Sequence, residues 1–349
     1  MPYSAVVQQR PDILVLGAGG VLGEAWLTGV LAGIEDAAGI DLRGCEYFVG
    51  TSAGALVAAR LAAGERPRRP PEVADPGSGL AGPDPGALVA KGRPGAGRPQ
   101  LSVAAAARTA RALAERAATV AAERTEAIAA WGVSVALDVA APAMPAGLAL
   151  AAPGGALARA AALRALPRPA GEFTELRGEL GLLGGRFDGR LRVVAVARGS
   201  GRRVVFGRPR APHASVAEAV EASCAIPWLV APVQIGGVEY VDGGIWSPTN
   251  LDVAPAKRQT QVLCLSPTAG LFGPSGIDRG PLSPVARRVS RGITQLEATA
   301  LRGRRAEVDL VGPDDDAAAA IGGDLMDADR AQRVLLTGYL QGLGLATER

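Results

Sequence analysis

The 349-residue chain predicts an α/β fold, a three-layer α/β/α sandwich with a mainly parallel central sheet and one insert rich in Ala, Pro and Gly. Three observations predict it. Two short apolar runs near the N-terminus each end in a glycine turn and pass into helical periodicity. A second region of strand and helix patterning begins at Leu191. Between them lies a stretch of very different composition, and the whole is read as a single domain over 1–349. At 48% hydrophobic and 20% charged residues the chain is globular rather than disordered, although much of the apolar fraction is alanine and aromatics are only 4%.

The run Asp12-Ile-Leu-Val-Leu16 ends in Gly17-Ala18-Gly19-Gly20, the pattern of a buried parallel strand entering a glycine turn. From Gly23 the period changes: Trp26, Leu27, Val30, Leu31 and Ile34 fall on one helical face, and Gly39 stands where a C-terminal cap is expected. Cys45–Val49 predicts a second strand, Gly50–Gly54 a tight turn and Ala55–Ala63 a helix. Two strand-turn-helix units in succession imply parallel strands with right-handed crossovers.

Residues 65–100 are dense in Pro, Gly and Arg and hold too little large apolar surface to order themselves, so a disordered loop is expected there. Residues 101–180 are expected to form an alanine-rich helical insert, a candidate lid. Within it Ala127–Pro153 carries Asp138, Pro142 and Pro145, which suits a buried or membrane-adjacent segment better than a spanning helix. Leu191–Ala197 and Arg203–Phe206 read as a hairpin, Val216–Ala222 as a helix, and Val238–Val241 and Gln261–Leu265 as strands, with helices near 285–303 and 327–342.

Composition excludes several chemistries. His213 is the sole histidine, which removes every metal site that needs two, and a Ser-His-Asp triad survives only with His213 as base. No metal or cofactor is expected. The 37 basic and 34 acidic residues are dispersed without a basic block, so no nucleic-acid partner is expected. Cys45, Cys224 and Cys264 lack metal spacing and read as reduced thiols, which points to the cytoplasm. The first apolar run, Ile13–Leu16, is too short for a signal peptide.

Three motifs carry chemistry. Gly50-Thr-Ser52-Ala-Gly54 lies between a predicted strand and helix, where a nucleophile elbow projects a serine above the sheet; the alternative is an ordinary turn with a serine near the helix N-cap. Gly17-Ala-Gly19-Gly20-Val-Leu-Gly23 opens a helix with free amides. It reads as an oxyanion hole built on Gly19 and Gly20, or as a dinucleotide fingerprint, although Leu22 stands where that pattern needs its third glycine and Asp36 falls in a helix. Tyr240-Val-Asp242-Gly243-Gly244 ends a predicted strand and by itself reads as an Asp-Gly hairpin turn.

Taken together and in this order, the glycine turn, Gly-Thr-Ser-Ala-Gly and Asp-Gly-Gly resemble the patatin-like phospholipases. The likeness extends to Glu221-Ala-Ser-Cys-Ala-Ile-Pro227 and Pro248-Thr-Asn250, and covers about 1–64 and 191–310. The resemblance implies Ser52 as nucleophile, Asp242 as its only catalytic partner, an oxyanion hole from the amides of Gly19 and Gly20, and a lipid ester as substrate, met by peripheral contact with a membrane. The family carries Arg or Lys at the position of Leu22 and glycine at that of Ala18. A dinucleotide-binding oxidoreductase and a catalytically silent lipid-binding protein are the other readings of the same residues. Oligomeric state is not read from the sequence.

Overall fold

The computed structural model describes residues 7–74, 155–166, 187–227, 229–268, 284–322 and 324–347. Most of the expected loop, most of the helical insert including Ala127–Pro153, and Trp228 lie outside the described residues.

Among the described residues eight strands form one sheet: β1 (Ile13–Leu16), β2 (Tyr47–Thr51), β3 (Leu191–Ala197), β4 (Arg202–Phe206), β5 (Val233–Ile235), β6 (Val238–Asp242), β7 (Gln261–Leu265) and β8 (Glu307–Val311). The order is β5-β6-β3-β2-β1-β7-β8, with β4 paired to β3; β3, β2, β1, β7 and β8 run parallel to one another, and β4 and β6 pair antiparallel with β3. The expected mainly parallel sheet is therefore present. Strands β5, β8 and the short helix α7 (Asp315–Ile321) went unread in the sequence, since three to seven residues offer too few periods to recognise.

Period-two alternation divides the core into layers. Leu14, Leu16 and Phe48 face α1 (Gly20–Ala38), α2 (Ala53–Ala62), α5 (Val216–Cys224), α7 and α8 (Ala331–Thr347); Ile13, Val15 and Val49 face α6 (Pro284–Gly303) and the 251–256 segment. That is the three-layer sandwich. Helix α1 begins at Gly20, three residues earlier than its apolar period suggests, and ends where Gly39 takes a left-handed cap at φ 65°.

The first residues of the segment expected to be disordered are held in place. Arg69 pairs with Glu35 at 3.0 Å and Asp36 at 2.7 Å, and a short helix, α3 (Pro71–Ala74), follows. From the far end of the insert, α4 (Ala156–Ala165) buries Leu163 against Val196 and Val241, and Arg159 stacks on Trp246 at 4.0 Å. The described parts of the expected insert, 65–74 and 155–166, thus pack on the domain, and α4 sits beside the turn that follows Asp242.

Candidate active site

The sheet brings the motifs to one end. Leu16, the last residue of β1, pairs with Gly50 and with Leu265, so the glycine turn and the Gly-Thr-Ser-Ala-Gly turn leave the carboxyl edge at the same level. Asp242 arrives from the opposite direction. Strand β3 pairs with β4 along Val193–Ala197 on one edge; on its other edge Val194 pairs with Thr51 of β2 and Ala195 with Asp242 of β6. The parallel β2 and the antiparallel β6 therefore meet head to head, carboxyl end to carboxyl end. Register alone makes Ser52 and Asp242 neighbours across 190 positions of sequence.

Ser52 has φ 54° and ψ −123°, a conformation that L-residues avoid, and it is buried at 6% exposure. The turn closes tightly: a Cβ on Gly54 would overlap the Leu16 carbonyl, and one on Gly50 the backbone of Ala55. Its side chain is hydrogen-bonded to the Asp242 carboxylate. Burial raises the Asp242 carboxyl to about 6, against the bonds from Ser52 and from the Gly244 amide, which donates to Oδ1 at 2.6 Å. Asp242-Gly243 does not form a hairpin turn; Gly243–Ile245 is a 3₁₀ turn capped by that carboxylate. The hairpin turn instead falls at Gly236-Gly237, both at positive φ, between β5 and β6.

The glycine turn presents the N-terminus of the 19-residue helix α1. Gly20 has φ 60°, and a Cβ there would lie 2.9 Å from both the Leu325 carbonyl and the Met326 sulfur. A Cβ on Gly19 would lie 2.6 Å from Pro267, and one on Gly23 3.2 Å from the same ring. Gly17 donates to Leu265 O at 2.9 Å, Ala18 to Pro248 O at 2.8 Å and Leu22 to Leu325 O at 3.0 Å, whereas among the described residues the Gly19 and Gly20 amides have no backbone acceptor. Glycine at 19 and 20 is thus demanded by packing and backbone geometry. Ala18 approaches Gly244, whose Cβ would sit 3.6 Å from it, so the glycine turn touches the Asp242 turn. Leu22, at the position where the resemblance leads one to expect a cation, is wholly buried in the core.

The residues of the alternative readings lie elsewhere. His213 is exposed in the loop before α5, whose start is capped by Ser215 and Glu218. Asp36, the carboxylate a dinucleotide ribose would need, is occupied by Arg69 and by the Tyr339 hydroxyl at 3.1 Å. Cys45 and Cys264 are buried thiols pushed up by desolvation, the former to about 12; Cys224, half-buried, is hydrogen-bonded to Ser52.

A polar network on the α6 face supports the pair. Asn250, buried and left-handed at φ 49°, donates from Nδ2 to Thr51 Oγ1 at 3.1 Å, Gly243 O at 3.2 Å and Ser247 O at 2.8 Å, which ties the residue before Ser52 to the residue after Asp242. Beneath it Glu297 of α6 accepts from Thr249 Oγ1 and from the Leu251 amide, both at 2.9 Å. Burial, and then the nearby Asp252 charge, pushes the Glu297 carboxyl well above the usual carboxylate range; Arg203, bidentate at 2.6 Å, holds Asp252 low against its own burial. Sequence reasoning quoted Asn250 without a role and missed Glu297. The signal was an acidic residue on the face of the predicted helix that also carries Thr294, Ala298 and Leu301.

Comparison with known proteins follows the same residues. A family model described as Patatin-like phospholipase matches residues 14–255, from β1 through the segment after Asp242. Among solved structures the chain is similar to VipD from Legionella pneumophila at 16% identity and a TM-score of 0.43, over 97% of this chain and 67% of that one. No curated protein sequence matches it.

Proposed function

The chain belongs to the patatin-like phospholipase family, a family of lipid hydrolases, and from that premise we propose a serine acyl hydrolase that cleaves lipid esters through an acyl-Ser52 intermediate. One observation carries the reading: a serine in a strained strand-to-helix turn is hydrogen-bonded to a buried carboxylate, while His213 lies exposed in another loop. In the first half-reaction Ser52 Oγ attacks the ester carbonyl as its proton passes to Asp242, and the departing alkoxide takes that proton back. In the second, Asp242 takes a proton from the water that attacks the acyl carbon and returns it to Ser52 Oγ as the acyl bond breaks, releasing the acid.

Burial gives Asp242 its strength as a base. A carboxylate with the reference value of about 3.9 removes a hydroxyl proton poorly, and at about 6 it is a stronger base still ionised at neutral pH. The Gly19 and Gly20 amides at the start of α1 are assigned to the oxyanion, where the helix dipole also favours negative charge. Ser52's own amide is committed to Ser223 Oγ at 2.9 Å and does not serve that task. No described helix is long and apolar enough to cross a membrane, and the lipid is taken up by peripheral contact.

A fluorophosphonate probe tests the assignment. The wild-type chain should be labelled and should hydrolyse p-nitrophenyl esters and phospholipid, and Ser52→Ala should lose all three. Phospholipid binding without labelling or turnover would instead favour a catalytically silent lipid-binding protein.

A further inference from the structure

The β2–β3 ladder breaks at the nucleophile. Parallel pairing repeats its hydrogen bonds every two residues on a given strand, and Phe48 N–H donates to Arg190 O at 3.0 Å. Two repeats further on, a continuous ladder would join Ser52 N–H to Val194 O. That rung is occupied by a third group: Ser52 N–H donates to Ser223 Oγ at 2.9 Å, and Ser223 Oγ–H donates to Val194 O at 2.6 Å. Ser223 lies in the last turn of α5 with no exposed surface. Val194 O also sits where the carboxyl ends of β2 and β6 meet, against Gly243, so β6 does not restore the missing rung.

One hydroxyl, donor and acceptor at once, satisfies both orphaned backbone groups, each of which would otherwise be buried without a partner. It also sets distance. A direct rung holds amide and carbonyl about 3 Å apart; the interposed oxygen moves Ser52 off the edge of β3 at the point where its φ turns positive. The same helix end holds the base, since Ala225 O accepts the Asp242 amide at 2.9 Å.

We propose that Ser223 is a positioning residue for the nucleophile: its hydroxyl, wedged into the last β2–β3 rung, holds Ser52 in its strained turn with Oγ toward Asp242. The proposal rests on the hydrolase reading for its kinetic readout, though not for its structural one. Ser223 touches no reacting atom, so its removal acts on the attack step and leaves the substrate surface intact.

The experiment compares Ser223→Ala with Ser223→Thr, which keeps the hydroxyl. Ser223→Ala should stay folded by circular dichroism and lower kcat on a soluble ester by about 10- to 100-fold, with KM within threefold. Fluorophosphonate labelling of Ser52 should slow by the same factor, and Ser223→Thr should recover much of both. A folded Ser223→Ala with kcat within threefold of wild type overturns the proposal, as does a folded Ser223→Thr no better than Ser223→Ala. If Ser223→Ala does not fold, Ser223→Cys, close in size with a weaker donor, is judged by the same two criteria. Absence of Ser52-dependent turnover in the wild type would break the hydrolase reading instead; a crystal structure of whichever variant folds then decides, and Ser52 still near φ 54° overturns the wedge.

Discussion

The two strand-to-helix turns at the carboxyl edge of the sheet solve one geometric problem in opposite ways. After β1 the chain takes positive φ at Gly20, a residue for which that conformation costs little. After β2 it takes positive φ at Ser52, where a Cβ and a hydroxyl must be carried into a region L-residues avoid. The first turn is permitted by its residues and the second is imposed by its surroundings: the Ser223 hydroxyl, the Asp242 carboxylate, and glycines at 50 and 54 that let α2 close onto β1. A turn that presents backbone amides can be relaxed. A turn that presents a side chain against a buried base is held under tension by the fold.

The largest expected effect breaks the second turn's chemistry and leaves its backbone intact. Asp242→Asn should lower kcat on a soluble ester by about 10³-fold, measured with the protein shown to be folded. It should also stabilise the fold at pH 8 by up to about 3 kcal/mol, because a buried charge is removed. The sign follows from the raised carboxyl: the native state holds the Asp242 proton more tightly than the unfolded chain does, so stability falls as pH rises from about 4 to about 6. A denaturation midpoint for Asp242→Asn below wild type at pH 8 would contradict the burial argument.

In the proposed mechanism the same carboxyl governs rate: Asp242 must be ionised in the free enzyme, so kcat/KM should fall about tenfold per pH unit below 6 and level off above it. A profile still rising at pH 8 would point to a different base.

The next two changes sharpen the contrast between the turns. Gly20→Ala adds a Cβ at φ 60° against Leu325 and Met326, and should destabilise by about 2 kcal/mol. Ser52→Gly abolishes activity but relieves the strained residue, and should stabilise by about 1 kcal/mol. Opposite signs in urea denaturation are the expected result; the same sign would show that the two turns are not relaxed and strained as described. The smallest effect is His213→Ala, for which turnover and stability should remain within error, since the ring is exposed in its loop.

Much of this was legible in the chain. The apolar runs at Ile13 and Cys45, the return of pattern at Leu191 and the glycine turns were enough for a parallel α/β sandwich, because buried parallel strands leave unbroken apolar runs and glycine marks where they must turn. Boundaries were less so. Helix α1 starts at Gly20, whose lack of a side chain leaves no apolar period to read, and β2 runs to Thr51 because Gly50 and Thr51 still pair with β3. The unread strands β5 and β8 lie toward the edges of the sheet, where three to five residues pair on one side.

By itself, then, the sequence determined the layers, the three motifs and the exclusion of histidine-rich chemistry, all of which depend on residue type and local period. Only the tertiary structure decided which groups meet. Whether Asp242 ends in a hairpin or beside Ser52 depends on β2 and β6 sharing one edge of β3, a register no local pattern encodes. Ser223 reads as one polar residue near the end of an alanine-rich helix, Asn250 as a turn residue and Glu297 as an acidic residue on a long helix. Their roles appear once burial removes water and leaves each polar group only the partners the fold has placed within reach.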